Sequence, residues 1–322
     1  MQYCLIALSG ILLGVFFINL FKKFSLSHNL LIAKGMPLIG GIGLGLSFLL
    51  ISLSIFFTYQ SLSREVIGLI VSSSLMLAFG VIDDLKELSI WAKFLVQIIA
   101  ASLLIFFGIR THIVYIGNTL NIIITLIWVL GITNAFNHLD VMDGVASGTA
   151  IIVSFAFFII SVLNGDTRTA ILSLILAGVV FSFFLYNFPP AKVYMGNSGS
   201  HFLGFILAGI ALMLSYAPLE RKLALLSPIL ILGFPIFDTV FLILARIMKK
   251  NLPFKKSNDH LTFRFLALGY SKKKTLLTML GLCLFFSVSG VLLSQVSNLF
   301  GMAIIGFLIL ISLTLTIKVS KV

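Results

Sequence analysis

Asp83 and Asp84 stand side by side in the segment Asp83-Asp84-Leu85-Lys86-Glu87, and Lys93 follows ten residues after Asp83. Two adjacent carboxylates repel each other unless a cation or a proton intervenes. At the C-terminal end of an apolar run they also face the unfavourable pole of a helix. A divalent metal bound to a polyphosphate would relieve both penalties, and oxygen-only ligands of this kind suit Mg²⁺ or Mn²⁺. Lys93, early in the next apolar run, offers an ammonium that could hold a phosphate; the plain alternative is a solvated acidic turn.

A second polar segment reads Asn134-Ala135-Phe136-Asn137-His138-Leu139-Asp140-Val141-Met142-Asp143. If it is helical, Asn134, Asn137 and Asp140 recur every third residue and share a face, with Asp143 near its edge. Two amides and two carboxylates at the end of an apolar run can ligate metal and read a sugar or a base; His138 is better explained by a local hydrogen bond. Further on, Pro189-Pro190-Ala191-Lys192 stops one helix, and Gly196-Asn197-Ser198-Gly199-Ser200 opens the next. Backbone N–H groups at such a start can meet an anion. Near the end, Asp238 lies in Pro235-Ile236-Phe237-Asp238-Thr239, and Asp259-His260-Leu261-Thr262-Phe263-Arg264 closes a basic loop. A guanidinium and an imidazole together suit a pyrophosphate. The start at Lys34-Gly35-Met36-Pro37-Leu38-Ile39-Gly40-Gly41 reads as a helix beginning rather than a binding loop.

The elements that must position these residues are membrane helices. The chain is 60% hydrophobic and only 10% charged, against about a quarter charged in a soluble domain. Apolar runs near ~20 residues cross a bilayer as helices, because lipid offers the backbone no partners. Eleven runs are visible, near 3–21, 38–57, 66–82, 93–108, 121–136, 150–163, 170–186, 202–216, 223–245, 275–294 and 299–317. Those at 121–136 and 150–163 are short, so 10 or 11 spans are expected. The expected architecture is an all-α integral membrane protein, a polytopic bundle forming one domain over residues 1–322. The first run lacks a basic flank and a cleavage site, and reads as a helix rather than a signal peptide.

With the N-terminus outside, seventeen of the 22 basic residues fall on one face, including Lys22, Lys34, Lys86, Lys192, Arg246, Lys249, Lys250, Lys255, Lys256 and Lys321. Arg64, Arg110, Arg168, Arg221 and Lys222 fall on the other. That bias puts the first face in the cytoplasm. The 246–274 loop supplies nine of the seventeen; without it the split is eight to five, in the same direction. The same face carries seven of the ten acidic residues, namely Asp83, Asp84, Glu87, Asp140, Asp143, Asp238 and Asp259. Carboxylates at a membrane edge mark function by default, and seven on one side point to one polar site. The net charge of +12 sits beside the spans, where it meets anionic headgroups of the lipid bilayer rather than nucleic acid. Cys4 and Cys283, both in apolar runs, form neither a disulfide framework nor a metal pattern.

In this combination the chain resembles the polyprenyl-phosphate N-acetylhexosamine-1-phosphate transferases of the MraY, WecA and TagO type. The resemblance runs in order from Pro37-x-x-Gly40-Gly41 through Asp83-Asp84, Asn134-x-x-Asn137-x-x-Asp140, Pro189-Pro190-Ala191-Lys192 and Gly-x-Ser-Gly-Ser to Phe237-Asp238-Thr239 and His260-x-x-x-Arg264. It implies transfer of a sugar phosphate from a UDP-N-acetylhexosamine to undecaprenyl phosphate, with release of UMP, at the cytoplasmic side of a bacterial inner membrane. It implies a Mg²⁺ cofactor, with Mn²⁺ as a substitute, and leaves room for a homodimer. Asp83 and Asp84 would sit at the metal and phosphate centre, one of them deprotonating the lipid phosphate. Asn137 and Asn197 would join them as metal ligands. Asp140, Asp143 and His260 would complete the catalytic set, and Lys93, Asn134, Lys192, Asp238 and Arg264 would hold substrate.

There are three departures from the family pattern. Asn197 stands where an Asp metal ligand is usual, so the site loses a charge there. Val141 replaces a customary glycine, and Thr262 and Phe263 replace part of a histidine cluster. The last departure favours the WecA and TagO side, the initiators of cell-envelope polysaccharides. Two other readings are a catalytically impaired relative that binds lipid phosphate, suggested by Asn197, and a secondary transporter. The transporter would need acids near the bilayer midplane and an inverted repeat, neither of which is visible.

Overall fold

A computed structural model describes residues 2–58, 62–216, 221–249 and 259–320. Lys250, Lys255, Lys256 and Lys321, counted above for orientation, lie outside them. The chain divides into two compact units, residues 1–214 and 215–322.

The first unit contains α1 (Gln2–His28), a two-residue hairpin of β1 (Ile32–Ala33) and β2 (Met36–Pro37), α2 (Gly40–Thr58) and α3 (Arg64–Leu85). These are followed by α4 (Ile90–Phe106), α5 (Asn118–Leu139), α6 (Val145–Leu163), α7 (Thr167–Asn187) and α8 (Gly196–Met213). The hairpin is antiparallel, with Ile32 opposite Pro37 and Ala33 opposite Met36. Three of these helices begin with a side chain accepting from an early backbone N–H. Ser63 caps α3 through Val66 N, Ser89 caps α4 through Ala92 N, and Asp166 caps α7 through Thr169 N. The helix α8 has no such cap of its own, since Met195 precedes it.

The centre of this unit is α8, whose side chains from Ser198 to Ala211 are buried without interruption. Both α3 and α5 run antiparallel to it at very short range. A Cβ added at Gly80 of α3 would stand 2.4 Å from Ser198 Cα. One added at Gly204 of α8 would stand 2.7 Å from Thr133 Cα and 2.8 Å from the Ile132 carbonyl oxygen. Small residues let helices approach where lipid supplies no hydrophobic drive. The C-terminal ends of α3 and α5 are thereby brought to the N-terminal end of α8. At the far end of α3, Glu65 meets Arg168 of α7 at 3.5 Å, and the Arg64 guanidinium lies 5.4 Å from the Phe106 ring centroid.

The second unit contains a 3₁₀ turn (Lys222–Leu226), α9 (Ser227–Ile231), α10 (Gly233–Met248), α11 (Leu261–Ala267), α12 (Lys272–Gln295) and α13 (Asn298–Ser320). The single run expected at 223–245 is broken, with the two parts meeting at 70°. Pro235 explains the break, since its ring excludes the carbonyl four residues earlier and it donates no N–H. That carbonyl belongs to Ile231, and it accepts instead from Ser287 Oγ of α12 at 3.1 Å.

Among the described residues nine helices are long and apolar enough to cross a membrane, ten if the bent pair counts as one span; α4 is shorter. The protein is thus an all-α, multi-pass membrane protein. The short runs at 121–136 and 150–163 become α5 and α6, of 22 and 19 residues.

Gly204→Ala is expected to force α5 from α8 and to cost about 1–3 kcal/mol, the usual price of overpacking. A thermal melt in detergent checks this; an unchanged midpoint would mean that the helices do not meet there.

Candidate active site

The Asp83-Asp84 pair is accommodated by two separate devices. Asp83 is buried, its side chain fully inaccessible, and pairs with Lys93 Nζ at 2.5 Å through Oδ2. Its Oδ1 accepts from the Leu88 backbone N–H at 2.8 Å. The geometry makes Asp83 the group that orients Lys93, whose side chain keeps 24% of its surface. Asp84 instead supplies the cap that α8 lacks. Its Oδ1 accepts from Asn197 N at 2.7 Å and its Oδ2 from Ser198 N at 3.0 Å. The unfavourable pole of α3 is thus offset by the favourable pole of α8. These N–H groups, expected to be open to an anion, are already engaged by a carboxylate of the chain itself. Gly196 is required at this junction. Its φ is +76°, and a Cβ there would lie 2.6 Å from Asp84 Oδ2.

The amides of α5 turn to different neighbours. Asn134 Nδ2 donates to Gln97 Oε1 of α4 at 2.7 Å and to the Leu130 carbonyl at 2.8 Å, and Gln97 Nε2 donates back at 3.4 Å. Asn134, expected to bind substrate, here holds α4 against α5. Asn137 faces α8, where its Nδ2 donates to Asn197 Oδ1 at 3.2 Å and to Ser200 Oγ at 3.0 Å. Among the described residues Asn137 Oδ1 accepts no hydrogen bond. The structure therefore brings Asp84, Asn137 and Asn197 together at the first turn of α8.

Asp140 is the residue that ends α5. Among the described residues no group donates a hydrogen bond to its carboxylate. Burial, then the charges of Asp84 and Asp143, raise it from the ordinary 3.8 to about 7. Asp143 is held by the Ala191 N–H at 3.1 Å, beside the exposed Lys192. The loop carrying Lys192 is fastened by Asn187. Its Oδ1 accepts from Gly144 N and Ser147 Oγ, and its Nδ2 donates to the Val193 carbonyl. It is also tied to the start of α2 by Gly40 N and Gly41 N, which donate to the carbonyls of Tyr194 and Met195. The reading of that start as a helix beginning holds, and it gains a positioning role.

Asp238, Asp259, His260 and Arg264 belong to the second unit. Asp238 Oδ1 accepts from Leu261 N at 3.1 Å, and its Oδ2 meets His260 Nδ1 at 3.3 Å. Asp259 pairs with Lys249 and lies 3.8 Å from Arg264. Arg264 NH1 donates to the Val319 carbonyl at 3.2 Å, and its guanidinium lies 5.3 Å from the Phe241 ring centroid. Its Nε is buried without a hydrogen bond.

Four residues with clear work in this arrangement escape sequence reasoning. Gln97, Asn187 and Ser200 sit among apolar or small neighbours, and their partners lie far off in the chain. His201, buried against Phe79, meets the Asn197 carbonyl through Nδ1 at 2.9 Å. A polar residue inside an apolar span is the signal that could have found Gln97 and His201.

A carboxyl raised in the folded state binds more protons there than in the unfolded chain between about pH 4 and 7. Stability therefore falls as pH rises through that window and levels off above it. In EDTA-containing buffer, the stability advantage of Asp140→Asn over wild type should grow from pH 5 to 7 and then stay constant. A pH-independent difference in melting temperature would contradict this environment for Asp140.

The model of glycosyl transferase family 4 matches residues 66–215, which hold α8 together with Asp84, Asn137 and Asn197. A probable undecaprenyl-phosphate N-acetylglucosaminyl 1-phosphate transferase of Bacillus subtilis is 28% identical over 285 residues, 86% of this chain and 78% of the relative. A decaprenyl-phosphate N-acetylglucosaminephosphotransferase of Mycolicibacterium smegmatis is 30% identical over 272 residues, 74% of this chain and 67% of the relative. An undecaprenyl-phosphate alpha-N-acetylglucosaminyl 1-phosphate transferase of Thermotoga maritima is 29% identical over 259 residues, 80% and 77% of the two chains. With carboxylates and amides gathered at one helix start in a membrane bundle, the chain belongs to the polyprenyl-phosphate N-acetylhexosamine-1-phosphate transferase family.

Proposed function

We propose that this protein transfers an N-acetylhexosamine 1-phosphate from a UDP-sugar to undecaprenyl phosphate. The reaction releases UMP and starts a cell-envelope polysaccharide at the cytoplasmic face of the bacterial inner membrane. The relatives' names favour N-acetylglucosamine as the sugar. The observation that carries the reading is the meeting of Asp84, Asn137 and Asn197 at the first turn of α8, with Asp140 in electrostatic reach of Asp84 and Asp143.

In the reaction an oxygen of the lipid phosphate attacks the phosphorus that carries the sugar, and the bond from that phosphorus to the UMP oxygen breaks. Little covalent chemistry falls to the protein, so positioning and charge dominate. The donor set is compatible with a hard cation. It consists of oxygens alone, and the Asp140 carboxylate lacks a donor while facing two like charges. Among the described residues no three His, Cys, Asp or Glu side chains form a ready cage. Mg²⁺ does not require one, since it is commonly bound by one or two carboxylates plus substrate phosphates. Asp84, Asp140, Asn137 and Asn197 would hold Mg²⁺, or Mn²⁺ in its place. When bound, the ion would supply charge neutralisation at the pyrophosphate.

Asp83 takes a supporting part in this reading, keeping Lys93 extended toward a phosphate. Asp143 and Lys192 would line the site for the nucleotide sugar. In the second unit, Arg264 and His260 would hold phosphate oxygens. Asp238, expected to bind substrate, would act here through the start of α11 and His260.

A transfer assay with purified protein, undecaprenyl phosphate, Mg²⁺ and radiolabelled UDP-N-acetylhexosamines tests the reading. Label in lipid with release of UMP is expected, first of all from UDP-N-acetylglucosamine. A folded protein that transfers no sugar with either metal would favour the catalytically impaired relative. Asn197→Asp is expected to restore a charged ligand and lower the Mg²⁺ needed for half-maximal rate about five- to tenfold, roughly 1 kcal/mol. An unchanged or raised requirement would remove Asn197 from the metal.

A further inference from the structure

We infer that Gln97 is a positioning residue that sets where the Lys93 ammonium stands relative to the first turn of α8. The functional half of this inference rests on the reading of Lys93 as a phosphate-holding group; the structural half does not.

Gln97 is 1% exposed, in a helix that otherwise buries little. The other buried residues of α4 are Ala100, Ala101 and Leu104, whereas Leu95, Ile98 and Ile99 are exposed. Two alanines and a leucine define the register of a membrane helix weakly, because lipid supplies no hydrophobic drive between helices. Directional contacts to two different helices come from polar side chains one turn apart. Lys93 pairs with Asp83 of α3, and Gln97 exchanges hydrogen bonds with Asn134 of α5. Residues four apart share one face of a helix, so what holds Gln97 also holds the backbone from which Lys93 extends.

These contacts close a ring through four helices. Asp84 follows Asp83 and accepts from Asn197 N at the start of α8. Asn197 Oδ1 accepts from Asn137 of α5. Asn134 precedes Asn137 by three residues, and its Nδ2 donates to Gln97 on the helix that carries Lys93. Without the Gln97–Asn134 contact the ring opens, and Lys93 is referred to the α8 junction through Asp83 alone. A lysine is a long, rotatable side chain, so one ion pair holds its ammonium less firmly than an ion pair and a fixed helix register together. A slide of α4 by one residue moves Lys93 by about 1.5 Å along the axis. A misplacement of about 1 Å at a substrate-positioning group is enough to slow a reaction.

Gln97→Met keeps the length of the side chain and removes its hydrogen bonds, while Asn134 Nδ2 retains the Leu130 carbonyl. Purified proteins are treated with acetic anhydride at mildly alkaline pH, and the acetylation of each lysine is read by mass spectrometry. Lys93 should label faster in Gln97→Met than in wild type, toward its rate in Asp83→Asn, while Lys192 labels as in wild type. In the transfer assay kcat/KM should fall about three- to twentyfold, the scale of hydrogen bonds between membrane helices. In a Lys93→Met background the same substitution should cause no further loss. Unchanged labelling of Lys93 in Gln97→Met, or a rise shared equally by Lys192, would overturn the inference without any assay of transfer. Equal losses of kcat/KM in both backgrounds would make Gln97 a packing residue and overturn its action through Lys93. A protein that transfers no sugar would contradict the proposed function and leave the labelling to decide the placement of Lys93.

Discussion

The first unit is organised around a carboxylate placed at the start of another helix. Asp84, at the end of α3, accepts the two N–H groups that α8 cannot satisfy with a cap of its own. Each partner would be costly alone. An uncapped helix start buried in protein leaves orphan donors, and a carboxylate at a helix C-terminus sits in an unfavourable field. Joined, they form charge-assisted hydrogen bonds and define a point to which other groups can be referred. Asn137 reaches that point from α5 through Asn197 and Ser200, and Asp140 follows one turn later. Glycines at 80 and 204 set the helix separations that make these contacts possible. Packing, capping and the candidate chemistry therefore depend on one junction.

The second unit applies the same economy to a broken helix. Pro235 prevents α9 and α10 from forming one span, and Ser287 satisfies the carbonyl released by the break. In a bilayer such a group could not be left unpaired. The break then orients α10, which carries Asp238 to the first residues of α11. The two units share a principle in which a local defect in a helix is compensated by a side chain from elsewhere. The compensating contact, in turn, holds a residue with chemistry.

Much of this was legible in the amino-acid sequence, for a physical reason. Lipid-spanning helices need long apolar runs, so most helices were visible from hydropathy alone. The runs at 121–136 and 150–163 read as short because their ends are polar or small. Asn137 continues α5 beyond the run because Asn197 and Ser200 receive its amide. Val145 to Thr149 begin α6 against protein rather than lipid. The break at Leu232 was missed although Pro235 was in view, because proline is tolerated within membrane helices when neighbours re-satisfy the backbone. Acid pairs and amide spacing pointed to the candidate site, yet the division of labour did not follow from spacing. Asp83 and Asp84 are adjacent, but one is bound to Lys93 and the other to amides 113 and 114 residues away. Likewise Asn134 and Asn137 are three residues apart and serve different helices. Partners so distant in the chain leave no periodic signal.

The most direct measurement concerns the junction itself. Hydrogen–deuterium exchange over the first turn of α8 should be compared in wild type and Asp84→Ala. Selective loss of protection at Asn197 and Ser198, with the middle of α8 still protected, is the expected result. Equal protection in both proteins would contradict the claim that the Asp84 carboxylate holds the start of α8, and with it the basis for gathering Asn137 and Asn197 there.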